Sequence, residues 1–181
     1  MVTTRLLTAQ QFLEFDDSGE HYELIEGELT RVMSPSPEHA FIVSNLARIL
    51  STQVQLVGLG RVYAGDPMVL LRHNPDTVLA PDVAVILSDR LPLEQSAFMT
   101  IPPDLVIEVL SPSNSPREVE RKIGIYLESG VKTVWIIDPR QRQVLVHTLE
   151  RAPQAFMDID QITGGDVLPG LEFKVSEIFD D

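Results

Sequence analysis

Two short apolar runs in this chain each carry one acid, and that placement limits the folds open to it more than any other feature. Pro81-Asp82 opens Val83-Ala84-Val85-Ile86-Leu87, and Leu105-Val106-Ile107 passes through Glu108 into Val109-Leu110. Both runs have the length and β-branched content of core strands. A carboxylate inside a core strand is unfavourable unless it is paired or bound to a metal. Two of them on neighbouring strands repel each other and call for a cation between them. Mg²⁺ or Mn²⁺ held in this way serves phosphodiester chemistry.

Strand alternation puts Leu105, Ile107 and Val109 on one face and Val106, Glu108 and Leu110 on the other. The competing reading of Glu108 is an acid reaching solvent at the strand end, before the Ser111-Pro112 break. Asp82 alone is as readily a residue that begins a strand or caps a turn. Together the two are more specific, because each strand then offers one inward acid near its end. Lys122 is the third candidate. It borders the stripe of Val119, Ile123 and Tyr126 on the next predicted helix, at helical spacings from Val119 and Tyr126. A snorkelling surface lysine is the plain alternative.

The remaining pattern predicts a mixed α/β or α+β fold, one sheet with helices packed on it. Thr8 caps a short helix over 9–15. Tyr22–Val32, broken at Gly27, reads as a hairpin. Ser36-Pro37 opens a longer helix with Ile42, Val43, Leu46, Ile49, Leu50 and Val54 at helical spacing. Strands are predicted over 61–71, with Pro67 at a bulge or edge, then over 82–87 and 104–110. Ser115-Pro116-Arg117-Glu118 is a capping box for a helix ending at Gly130. Strands over 133–138 and 143–149 close the pattern. No repeat or linker divides the chain, so residues 1–181 are expected to form a single domain.

Composition narrows the chemistry. Without cysteine there is no disulfide framework and no thiolate zinc site, and neither a signal peptide nor a membrane span is visible. A cytoplasmic protein is expected, with no membrane partner. There is no nucleophile-elbow serine, P-loop or paired-histidine zinc motif either. The net charge of −13 opposes a nucleic-acid partner, although 117–142 is locally basic.

Beyond these readings, several blocks resemble one family. They are Tyr22-Glu23-Leu24-Ile25-Glu26-Gly27-Glu28-Leu29, then Ser34-Pro35 and His39, then Pro81-Asp82. Val106-Ile107-Glu108-Val109-Leu110-Ser111-Pro112-Ser113, Lys122, Tyr126, Gly130-Val131 and Val134-Trp135-Ile136-Ile137-Asp138-Pro139 complete the set. This pattern is similar to the Uma-two family of restriction endonucleases, in the PD-(D/E)XK nuclease superfamily. The resemblance implies a restriction-endonuclease-like core, a central mixed sheet flanked by helices with an N-terminal β-hairpin. It implies an endonuclease that hydrolyses DNA through a Mg²⁺-activated water, with Asp82 and Glu108 as metal ligands. Leu110 stands where the superfamily's short motif carries lysine, and the resemblance points to Lys122 on the following helix as the substitute. Glu26 is a candidate for an added ligand or water-orienting acid, whereas Glu23 is expected to be a solvated hairpin acid. His39 is a candidate base, set against the commoner satisfied core histidine. A homodimer is expected from the resemblance and from the alternation of Val144 and Val146, which suggests a late strand needing cover. The alternative function is a homo-oligomeric scaffold that keeps the fold without the chemistry, and acidity and Leu110 favour it.

Overall fold

The structure is a computed structural model, and it describes residues 6–15, 19–92 and 96–180. Among the described residues, the three α-helices start where capping chemistry predicts. Thr8 accepts from the Gln11 N–H ahead of α1 (Ala9–Leu13), and Ser36 accepts from the His39 N–H ahead of α2 (Pro37–Leu50). Ser115 and Glu118 form a reciprocal capping box ahead of α3 (Pro116–Glu128). A π-helical turn, Ser51–Gln55, continues α2 and buries Val54.

One sheet was expected, but the strands divide between a large sheet and smaller ones. β1 (His21–Ile25) and β2 (Glu28–Val32) form the predicted hairpin. The predicted strand over 61–71 splits into β3 (Gly60–Ala64) and β4 (Val69–Arg72). Gly65 and Asp66 both take positive φ there, and Pro67 offers no N–H, so the ladder cannot continue. β4 instead pairs with β5 (Thr77–Leu79), a short strand without a sequence signal, and the small sheet runs β2-β1-β5-β4. The large sheet adds β6 (Val83–Leu87), β7 (Leu105–Val109), β8 (Thr133–Asp138), β9 (Gln143–Thr148) and β10 (Arg151–Met157). Its order is β10-β9-β8-β7-β6-β3, with β7 and β8 parallel and every other neighbouring pair antiparallel. β11 (Gln161–Thr163) and β12 (Glu172–Lys174) pair separately.

β10 corrects one premise of the sequence reading. β9 is an interior strand between β8 and β10, so it needs no second copy to cover it. The true edge is solvent-exposed, with Pro153 and a register irregularity between Arg151 and Gln154 that discourage further pairing.

The large sheet buries both faces. Val83, Val85, Leu105, Ile107, Trp135 and Ile137 face α2 and the C-terminal segment. Val106, Val134 and Ile136 face Ile125 and Tyr126 of α3, with Ile25 and Leu79 of the small sheet alongside. By strand alternation Glu108 belongs to this second face, beneath α3.

Candidate active site

The β6–β7 register builds the floor of the site. Val83 lies opposite Ile107, and extending that pairing by one residue sets Asp82 across from Glu108. Neither carboxylate is left loose. Asp82 Oδ2 accepts the Val109 N–H at 2.6 Å, and Asp82 Oδ1 lies 3.1 Å from His39 Nε2. Glu108 Oε1 accepts the Tyr126 hydroxyl at 2.6 Å. The Lys122 ammonium stands 3.4 Å from both Glu108 oxygens. Lys122 and Tyr126 are four residues apart on α3, so one helix face brings an ammonium and a phenol to one acid. The same side chains line a cavity of about 680 Å³.

Two acids require correction. Glu23, expected in solvent, is 2% exposed and lies 2.8 Å from Lys122 Nζ, while its Oε1 also accepts the Ala80 N–H. Glu26 does not join the cluster. It occupies the hairpin turn at φ 54° and pairs with Arg121 at 2.7 Å in an exposed contact. Sequence parity held the signal for Glu23, because it alternates with Ile25, which packs beneath α3. Glu26 lies beyond the strand, where alternation no longer applies.

Asp66 is the residue that sequence reasoning missed altogether. It enters the cavity wall from the sharp Gly65-Asp66-Pro67 turn, beside Asp82. Burial first, and then repulsion from Asp82, raise its pKa above the usual carboxylate value. A lone acid between glycine and proline reads as turn chemistry, so only the fold could reveal this placement.

The electrostatics describe acids in excess of cations. Burial raises the Glu108 pKa to about 7, and repulsion from Asp82 and Glu23 adds to it while Lys122 opposes it. Burial works against the Lys122 charge, but Glu108 and Glu23 outweigh it and hold its pKa above the ordinary value. Lys122 therefore stays an ammonium. The hydrogen bond to Asp82 is the main cause of a raised His39 pKa, with burial opposing. A histidine with a raised folded-state pKa stabilises the fold below its unfolded value near 6.5, and that contribution fades as pH rises through the folded value. Asp82→Asn should thus lower the His39 pKa, and imidazole proton shifts followed by NMR across pH 5–9 measure it. An unchanged His39 titration would show that Asp82 does not hold its proton.

Among the described residues, no three histidine, aspartate or glutamate side chains converge as a ready-made metal shell. Mg²⁺ commonly takes only one or two carboxylates and keeps several waters, so a pair of acids is the donor set to consider. Asp82 and Glu108 fit this pattern. Each carboxylate oxygen has two lone pairs, and the hydrogen bonds described leave acceptor capacity on both groups.

Comparison with known proteins decides the lineage. A family model described as "Putative restriction endonuclease" matches residues 9–176. The chain belongs to the Uma-two family. An uncharacterised protein of Synechocystis is 27% identical to it over 127 residues, which cover 70% of this chain and 71% of the relative. A crystal structure of a putative nuclease from Anabaena variabilis superposes with a TM-score of 0.84, covering 96% of this chain and 97% of that one at 24% identity. The mixed α+β architecture is thus the restriction-endonuclease-like fold expected for this family. Among the described residues, no helix of this Uma-two chain is long and apolar enough to cross a membrane.

Proposed function

We propose that the chain is a divalent-metal-dependent endonuclease acting as one domain on DNA phosphodiesters, with Asp82 and Glu108 holding Mg²⁺ or Mn²⁺. One observation carries the reading: acids brought together by two adjacent strands share a cavity with a partly buried lysine. Such an ion lowers the pKa of a water and polarises a phosphoryl oxygen.

The chain's own groups have separable tasks. Tyr126 and Lys122 fix the Glu108 carboxylate, while the Val109 N–H and His39 fix Asp82. The Lys122 ammonium is placed to meet negative charge developing on the phosphoryl oxygens, in a pocket where water screens it poorly. Glu23 holds that ammonium over the floor. His39 Nε2 faces Asp82 Oδ1 at 3.1 Å and its proton is held more readily there, so its task is to orient Asp82 in place of the base role the sequence suggested. Glu26 is assigned no task, since it does not line the cavity and its exposed carboxylate pairs with Arg121.

The scaffold reading has an observation of its own. Lys122 lies closer to Glu23 than to Glu108, so the chain's own cation already neutralises part of the cluster. Ion dependence separates the two readings. Purified protein is expected to cleave DNA with Mg²⁺ or Mn²⁺ and not with EDTA. Either ion should also raise its melting temperature, because an ion that binds only the native state adds about 2.7 kcal/mol at a hundredfold excess over Kd. Asp82→Asn should lose both responses. A parent protein that neither cleaves single-stranded, branched or duplex DNA nor gains stability from either ion would be the scaffold.

A further inference from the structure

The cavity has two unlike ends. Its floor holds the recessed groups: the Asp82 side chain is 11% exposed and the Lys122 side chain 21%. Aromatic and apolar side chains also line the cavity, among them Phe12, Phe15, Tyr22, Met33 and Pro35. Phe15 and Tyr22 meet edge to face, with centroids 5.5 Å apart and planes at 83°. Phe15 keeps 40% of its surface exposed and Met33 62%, although both sit on a wall that could have been closed with polar residues. Arg31 and Arg121, both exposed, line the same cavity. Each pairs with one glutamate in a half-exposed contact. Exposed pairs of this kind contribute little, and arginine forks bind phosphate well, so a phosphate can displace the glutamates.

We infer that this cavity takes an unpaired nucleotide, its base stacked on the Phe15–Tyr22 wall and its phosphate over the Asp82–Glu108 floor. The natural substrate is then single-stranded DNA, or the unpaired end of a duplex, rather than continuous duplex. The inference rests on the nuclease reading and names its substrate class.

Depth and charge support the choice. Duplex binders carry cationic surfaces that track two phosphate backbones. Here the described acids of the cavity, Glu23, Asp66, Asp82, Glu108 and Glu118, outnumber its permanent cations, and the chain carries a net charge of −13. A rigid duplex cannot lower one phosphate onto a recessed floor without pressing its neighbours against this negative field. A single strand can splay one nucleotide inward, because its bases are free to leave the stack. Stacking on an aromatic side chain then supplies affinity that charge does not, and it tolerates any base. The cavity's volume of about 680 Å³ also fits a site for one small ligand, which spans roughly 300–1,000 Å³.

The test is a binding preference, read separately from cleavage. A fluorescein-labelled oligonucleotide is titrated with the full chain as a single strand, as a blunt duplex and as a duplex with an unpaired flap. Anisotropy is read in Ca²⁺ at fixed salt. The single strand and the flap are expected to bind at least about tenfold more tightly than the blunt duplex. Phe15→Ala should weaken single-strand binding about tenfold, as loss of one stacked base does, and Phe15→Trp should preserve it. A blunt duplex that binds as tightly as the single strand, or a folded Phe15→Ala protein that binds unchanged, overturns the inference. Should Phe15→Ala fail to fold, Tyr22→Ala, which removes the other ring of the same wall, serves the same comparison with the same two outcomes. Cleavage in Mg²⁺ or Mn²⁺ keeps the two readings apart. Single-strand preference without any cleavage upholds this inference and removes the catalytic reading. Equal cleavage of the blunt duplex and the single strand does the reverse.

Discussion

Glu108→Gln is expected to abolish hydrolysis and, in the absence of metal, to make the protein more stable at alkaline pH. The two effects have one cause. Glu108 is an acid that the fold holds in a buried position beside other acids, with its pKa raised from 4.5 to about 7. The sign follows from linkage. A carboxyl group with a raised folded-state pKa destabilises the native state once pH exceeds the unfolded value, and the effect saturates above the folded value. Parent and variant should therefore match near pH 4.5, diverge between about 4.5 and 7, and differ by a constant amount beyond. A tenfold change in proton affinity corresponds to about 1.4 kcal/mol, so the destabilisation by Glu108 reaches at most about 3 kcal/mol. Urea unfolding at pH 4.5, 6 and 8 measures it. The variant should also lose stabilisation by Mg²⁺ or Mn²⁺, and removing such electrostatic assistance should reduce turnover by about a thousandfold or more. A Glu108→Gln protein less stable than the parent at pH 8 would mean that the pairing with Lys122 outweighs burial, and that Glu108 is a structural anchor.

Lys122→Met should have the opposite effect on stability. Methionine keeps most of the side chain's length, but the ammonium shared by Glu23 and Glu108 is lost. Those two acids then face each other in a poorly solvated pocket without a cation. Breaking a buried pair by removing one partner typically destabilises by 3–5 kcal/mol. Lys122 is partly exposed, so about 3 kcal/mol is expected at neutral pH. In a chain of this size that lowers Tm by roughly 10 °C. The deficit should shrink as pH falls and the acids take up protons. Lys122→Met combined with Glu23→Gln should recover much of it, since only one unpaired acid then remains. DNA cleavage should stay lost in both variants. A Lys122→Met protein that melts like the parent at pH 7 and still cleaves would reduce Lys122 to a snorkelling surface residue.

Local chemistry explains why so much of the scaffold could be read from the chain. Caps act within one helical turn, so Thr8, Ser36 and Ser115 marked helix starts without help from tertiary contacts. Apolar runs too long to expose marked the core strands β6, β7 and β8, and the acids within two of those runs drew attention because burial penalises charge. The short strand β5 and the strands after 149 gave no comparable signal. β10 is solvent-exposed apart from Phe156 and β5 has only three residues, so both exist through pairing with a neighbour rather than through their own pattern.

For the site, the sequence by itself determined which strand-borne acids stood out, Asp82 and Glu108, and which helix could bring a lysine to them. Strand parity pairs Glu23 with Ile25, but the tertiary structure decided which face of the hairpin is buried. Glu23 and Glu26 are three residues apart with the same side chain, but a strand's alternation buries the first against α3 and a turn at positive φ turns the second toward Arg121. It also brought Asp66 to the cavity wall, because the chain leaves the large sheet at that turn. The physical reason is distance along the chain. Periodicity and capping report on neighbours within a few residues, whereas His39, Asp66, Asp82, Glu108 and Lys122 meet only after strand pairing and helix packing have closed loops between them.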